Sequence, residues 1–131
     1  MKVLQPPSWA RPRGFANGIA VSGGTTVYVA GQVGWTGVGA WEAKDFAGQF
    51  RQAMRNILDV LAQAGGRAEH IVRLTWYVID RDEYLAALKP VGEAYREIMG
   101  GHYPAMSVVQ VSGLVESLAR LEIEATAVIP D

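Results

Sequence analysis

His70–Ile79 reads HIVRLTWYVI, and the fold turns on how this run divides between two faces. β-Branched and aromatic residues dominate it, which favours a strand. Successive side chains of a strand point to opposite sides. Val72, Leu74, Trp76 and Val78 therefore share one face, and that face is wholly apolar. It needs a layer of helices above it. Ile71, Arg73, Thr75, Tyr77 and Ile79 share the other face. Its apolar members predict that this side is covered as well, with another subunit as the candidate cover.

The covering layer is legible on both sides of the run. In Asp45–Ala64, Phe46, Phe50, Ala53, Ile57, Leu58 and Leu61 recur at three- and four-residue steps, the spacing of an amphipathic helix. Arg51, Arg55 and Asp59 fall opposite. Asp45 is placed to cap the first turn and Gly65-Gly66 to end the last. After the strand, Asp80 and Glu83 have the spacing of a capping box, with Asp in place of Ser or Thr. Pro90 cannot sit inside a regular helix but suits a first turn. A short helix over about 83–88, a break at Lys89 and a second helix to about Met99 are expected, stopped by Gly100-Gly101.

The remaining strands flank these helices. Ile19–Ser22 and Thr26–Ala30 enclose Gly23-Gly24, which predicts a hairpin. Gly31, Gly34, Gly37 and Gly39 mark a loop carrying Trp35 and Trp41. Ser107–Ser112 and Arg120–Val128 read as the last two strands, joined through Glu116. The first fifteen or so residues hold three of the six prolines and read as an irregular arm. The order β-β-α-β-α-β-β predicts an α+β sandwich: one mixed sheet with two main helices on one face. Residues 1–131 read as a single domain, without repeat or linker.

Composition narrows the function classes. Half of the 131 residues are hydrophobic, enough for a core. Twelve basic and thirteen acidic residues leave a net charge of −1, with no long run of one sign. That balance gives no electrostatic reason to expect nucleic acid or an anionic membrane as partner. The absence of cysteine excludes a disulfide framework, a thiolate metal site and a cysteine nucleophile. No stretch approaches the roughly 20 apolar residues of a membrane span, and no signal-peptide pattern opens the chain. A cytoplasmic location is the expectation.

Few motifs carry chemistry. His70 and His102 belong to no metal-ligand pattern, so no metal is expected. The glycines of Gly23–Gly31 lack the spacing and lysine of a phosphate loop. Ser107 and Ser112 have no evident base. Glu122 and Glu124 lie two apart and so share one face of a strand. A solvated face is the ordinary reading, and a partly buried one would let a carboxylate handle protons or position water.

These residues also carry a resemblance. VYVAGQVG after the first turn, Gln49, Gln52, Ala53, Asn56 and Ile57 in a Q-x-x-Q-A-x-x-N-I pattern, HIVRLTWYVIDRDEY, YPAMSVVQV and LEIEATAV occur in the order and spacing of the RidA (YjgF, reactive-intermediate deaminase) family. The match spans nearly the whole chain. The resemblance implies a chorismate-mutase-like domain assembled as a homotrimer, with clefts between neighbouring subunits. It implies hydrolysis of enamines and imines of amino-acid metabolism to keto acids and ammonia, without a cofactor. Some members carry an endoribonuclease label.

Departures from the pattern concentrate in the implied cleft. Met106 stands where the deaminases carry the arginine that clamps the substrate carboxylate. A thioether offers neither charge nor donor in place of a bidentate guanidinium. Ala30, before the Gly31-Gln32 pair, replaces a serine. Phe15 replaces a tyrosine, and a cleft asparagine falls at about Lys89. Glu122 matches the glutamate that positions the attacking water. Loss of the clamp is worth on the order of 2–4 kcal/mol, or roughly 30- to 1000-fold in affinity. Standard 2-iminopropanoate turnover is therefore expected to be weak or absent. The backbone at Ala105–Ser107, with Lys89, His102 and Tyr103, is the expected substrate cradle beside Met106, and the two loop tryptophans are candidates to overhang it. Three functions follow in order: a hydrolase or tautomerase for an unusual imine or enamine, a trimer that binds a small metabolite without turnover, and a ribonuclease. A basic stripe and a histidine pair are missing for the last.

Overall fold

Phe46–Ala62 form the first helix, α1. Asp45 caps it, its carboxylate accepting from the Gly48 N–H at 3.2 Å. The helix closes as the Gly66 N–H donates back to Leu61, with Gly65 at φ +76°. Phe46, Phe50, Ala53, Met54, Ile57 and Leu61 are buried along one stripe. A computed structural model describes all residues 1–131, and around α1 it sets β1 (Lys2–Leu4), β2 (Gly18–Ala20), β3 (Thr25–Val33), β4 (Ile71–Val78), α2 (Arg81–Ala86), α3 (Leu88–Met99), β5 (Ala105–Gln110) and β6 (Leu121–Ile129).

Strands β3, β6, β4 and β5 lie side by side in that order. β4 and β5 run parallel, whereas β6 is antiparallel to both β3 and β4. The expected α+β sandwich with a mixed sheet is thus observed. The sheet's inner face and the stripes of α1 and α3 form one core of 19 buried residues. Phe50 stacks on Trp76 at 4.8 Å between ring centroids, tying the middle of α1 to the middle of β4. No helix is long and apolar enough to cross a membrane.

Several local expectations shift. Ile19–Ser22 and Thr26–Ala30 do not form a hairpin: β2 pairs with β1, and β3 pairs with β6. Gly23 and Gly24 do make the turn, both at positive φ, but the turn delivers the chain from one sheet to another. A turn signal reports a local reversal and says nothing of which strand is the partner. β1 itself was legible only as irregular arm, because its three residues are all exposed and carry no alternation.

β4 also departs from strict alternation. Its register slips between Ile71 and Arg73, which turns Ile71 into the core beside Leu74, both fully buried, and leaves Val72 half-buried. The uncovered face is accordingly less apolar than the alternation predicts. At α2, the Asp80 carboxylate accepts from the N–H groups of Asp82 and Glu83 at 2.9 and 3.2 Å. Glu83 does not complete a capping box but pairs with Arg120 at 2.9 Å. The break between α2 and α3 falls at Ala87, two residues before Lys89. Pro90 is then the third residue of α3, where a missing N–H still costs no helical hydrogen bond. β5 starts at Ala105 rather than Ser107, so Met106 lies inside the strand.

Two amides are buried with the apolar stripe of α1. Gln49 donates to the Leu118 carbonyl at 3.0 Å and accepts from the Arg120 N–H at 2.8 Å. Asn56 donates to the carbonyls of Val33 and Trp35 at 3.2 and 2.7 Å and accepts from Gln52 at 2.8 Å. These are the polar positions of the Q-x-x-Q-A-x-x-N pattern, and their task is to bind the loop that leaves β3 and the loop that enters β6 to the helix. Replacing Gln49 by Ala leaves interior backbone groups unpaired and should cost about 2–4 kcal/mol. Gln52→Ala should cost less than about 1 kcal/mol. Urea midpoints at fixed protein concentration check both, and equal midpoints would refute the role given to Gln49.

Candidate functional site

The sheet sorts the anticipated residues by face. Met106 lies opposite Leu74, and Val108 opposite Trp76, so both point to the helix side. Ala105 and Ser107 lie opposite Arg73 and Thr75, on the uncovered side. Glu122 lies opposite Tyr77, and Glu124 opposite Thr75, also on the uncovered side. Within one chain, the sheet stands between Glu122 and Met106.

On the helix side, Met106 lines a cavity of about 320 Å³ between the β5 edge and helices α2 and α3. Trp76, Tyr84, Tyr95 and Tyr103 share its wall with Leu88, Val91 and Val108, and the exposed Arg13 and Arg96 stand at its rim. The aromatic rings brace one another. Tyr95 and Tyr103 stack at 5.1 Å, and Tyr84 meets Trp76 edge-on at 6.1 Å. The Tyr95 hydroxyl donates to the His102 carbonyl at 2.7 Å. Burial, with a smaller contribution from Tyr103, pushes the Tyr95 hydroxyl well above the usual tyrosine range, and burial alone pushes Tyr84 up. The Trp76 indole N–H is the one buried side-chain polar group without a hydrogen-bond partner.

On the other side, Glu122 rests against β3 where that strand bulges between Val29 and Gln32. A Cβ at Gly31 would run into the Glu122 carboxylate, so glycine is what allows the approach. Gln32 turns its amide to the Ala30 carbonyl at 3.1 Å. The structure thus gathers Ala30, Gly31, Gln32 and Glu122. Beside them the Tyr77 hydroxyl donates to Glu124 at 2.6 Å. That hydrogen bond, then desolvation, then the negative charge of Glu124 and Glu122 raise Tyr77, while Arg73 opposes them. A smaller hollow of about 200 Å³ on this face is lined by Tyr28, Arg73, Thr75, Glu124 and Thr126.

Other anticipated residues lie elsewhere. His102 does not line the cavity, and its Nε2–H donates to the Ile71 carbonyl at 2.6 Å. It locks the α3–β5 loop to β4. Lys89 is exposed in the first turn of α3 and lines neither cavity. Phe15 is partly exposed and belongs to a neighbouring surface hollow with Trp9 and Arg11. Trp35 and Trp41 pack on each other at 5.7 Å. No group of three or more His, Asp or Glu side chains is arranged to hold a metal ion. Sequence reasoning missed Arg13, Arg96 and Tyr84 as cavity residues. Gly92 and Arg96, one helical turn apart beside the cavity, were a usable signal.

Residues 12–129 match the family model described as Endoribonuclease L-PSP. The chain belongs to the RidA/YjgF family. It is 29% identical over 104 residues to the human 2-iminobutanoate/2-iminopropanoate deaminase, covering 79% of this chain and 72% of that protein. It is 31% identical over 109 residues to a RutC family protein of Haemophilus influenzae, covering 83% of each. The crystal structure of YyfB from Yersinia pestis, a Rid-family protein of unknown function, superposes with a TM-score of 0.86 at 30% identity and 98% coverage of both chains.

The raised Tyr95 gives a pH prediction. Its folded pKa lies above the unfolded value of 10.0, so the stability that it contributes is complete below about pH 10 and is lost as pH rises toward the folded pKa. Tyr95→Phe should flatten this alkaline fall. It should also cost about 1–2 kcal/mol at neutral pH through the lost bond to His102. Urea unfolding between pH 8 and 11 measures both, and an unchanged alkaline slope would refute the assignment.

Proposed function

We propose that this RidA-family chain is a small-molecule hydrolase acting on an imine or enamine, in a cleft completed by a neighbouring copy. The observation that carries the reading is the placement of Glu122. It is half-buried against the β3 bulge on the uncovered face and makes no hydrogen bond within its own chain. A second copy laid on that face, in the family's trimeric manner, would bring one chain's Glu122 toward another chain's Met106 cavity. The name of the human relative, an imine deaminase, supports the same reaction class.

The chemistry asked of the residues is limited. The Glu122 carboxylate accepts a proton from water as the water oxygen bonds to the imine carbon. The same proton then goes to nitrogen. The hydroxyl proton of the resulting carbinolamine then passes to nitrogen through the same carboxylate as the C–N bond breaks, which releases ammonia and a carbonyl product. No step needs an oxidant, a reductant or a second substrate. Met106 bears on which molecule is accepted. An apolar thioether in the cavity wall disfavours a substrate that presents a carboxylate at that point, so the natural substrate differs from 2-iminopropanoate.

Three measurements test the proposal. Light scattering should give the mass of three chains, and a monomer would remove the shared cleft. The native protein should release ammonia from 2-iminopropanoate slowly, and Met106→Arg should raise kcat/KM by about 30-fold or more. Adding Glu122→Gln to that variant should return the rate to background while leaving the mass unchanged. If Met106→Arg gains turnover that survives Glu122→Gln, the role given to the glutamate is wrong.

A further inference from the structure

The helix-side cavity has a wall, a rim and a gap in its chemistry that together describe a ligand. Four rings, Trp76, Tyr84, Tyr95 and Tyr103, line it together with aliphatic side chains and Met106. Its rim carries two guanidinium groups, Arg13 from the N-terminal arm and Arg96 from α3, and no acidic residue lines it. Neither arginine is spent on an ion pair, since the salt bridges of the chain are Arg51–Glu97, Arg67–Glu69 and Arg120–Glu83. The volume of about 320 Å³ is that of roughly ten waters at about 30 Å³ each, more room than a three-carbon acid fills.

Gly92 sharpens the description. It lies inside α3, where glycine is a poor helix former. Packing does not demand it, because a Cβ there would meet only the Arg96 Nη1, at an ordinary 3.6 Å. Gly92 lines the cavity, so a side chain longer than a methyl group there would enter it.

We infer that this cavity binds a carboxylate carrying an aromatic ring, with the ring among Trp76, Tyr84 and Tyr103 and the carboxylate held at the rim by Arg96 and Arg13. The positive charge at this cavity lies on the helix and the arm, and Met106 on the strand carries none. Rings prefer offset or edge contacts of the kind these side chains offer, and guanidinium forks suit a carboxylate. This inference rests on the proposed imine hydrolase only for calling the ligand a substrate, since binding is defined without it.

Calorimetric titration of the full chain with phenylpyruvate, pyruvate and 1-phenylpropan-2-one tests it. Phenylpyruvate should bind at least about tenfold more tightly than pyruvate, which lacks the ring, and than the ketone, which lacks the carboxylate. Arg96→Gln should weaken phenylpyruvate about tenfold and leave the ketone unchanged. Gly92→Leu, a better helix former, should keep the circular dichroism spectrum and abolish phenylpyruvate binding by filling the cavity. Equal affinities for the three probes would overturn the inference, as would an Arg96→Gln, Arg13→Gln double variant with native affinity. Phenylpyruvate bound in this way, with no ammonia released from any imine, would uphold the inference and defeat the hydrolase. Turnover of 2-iminopropanoate without preference for phenylpyruvate would do the reverse.

Discussion

Two amide side chains buried on the inner face of α1 set the terms for the rest of the molecule. Gln49 and Asn56 are taken out of water with the apolar stripe, and a buried amide without partners is costly. Each finds its partners in loop backbone: Gln49 at Leu118 and Arg120, Asn56 at Val33 and Trp35. The helix can therefore seat on the sheet only when the β3–α1 and β5–β6 connections are in place. The same two connections fix where β3 ends and β6 begins. That is where Glu122 meets Gly31, so the helix that makes the core also sets the position of the carboxylate on the far side of the sheet.

The sheet then separates two kinds of chemistry. Its helix side holds an aromatic cavity with arginines at the rim, and its uncovered side holds carboxylates, a tyrosine and the bulge of β3. Met106, paired with Leu74, and Glu122, paired with Tyr77, fall on opposite faces of the sheet. Under the proposed function, a site using both is a site between copies. On the helix side the cavity walls are braced before anything binds, by the stacking of Tyr95 on Tyr103 and by the Tyr95–His102 bond. Such pre-organisation favours rigid, flat ligands, since little ordering remains to be done on binding.

The regular elements were largely legible. The three- and four-residue period of α1, its Asp45 cap and the Gly65-Gly66 stop are local signals acting within one element, and they held. The face assignment of β4 held at Leu74, Trp76 and Val78 but failed at Ile71, because a bulge adds a residue and breaks the period of two. The hairpin at Gly23-Gly24 failed for a related reason: a turn is coded locally, whereas the strand that pairs with β2 lies before it in the chain. His102 looked free for a ligand because a sequence does not show a carbonyl, here that of Ile71, arriving from another strand.

By itself the sequence determined the α+β class, the order of the main elements and the family, since each depends on residue type and spacing along the chain. Only the tertiary structure decided which face each strand residue occupies, that Gln49 and Asn56 hold loops, and that Arg13, Gly92 and Arg96 meet around one cavity. Those facts depend on register and on contacts between distant segments. A one-residue slip in a strand exchanges its two faces without changing a letter of the sequence.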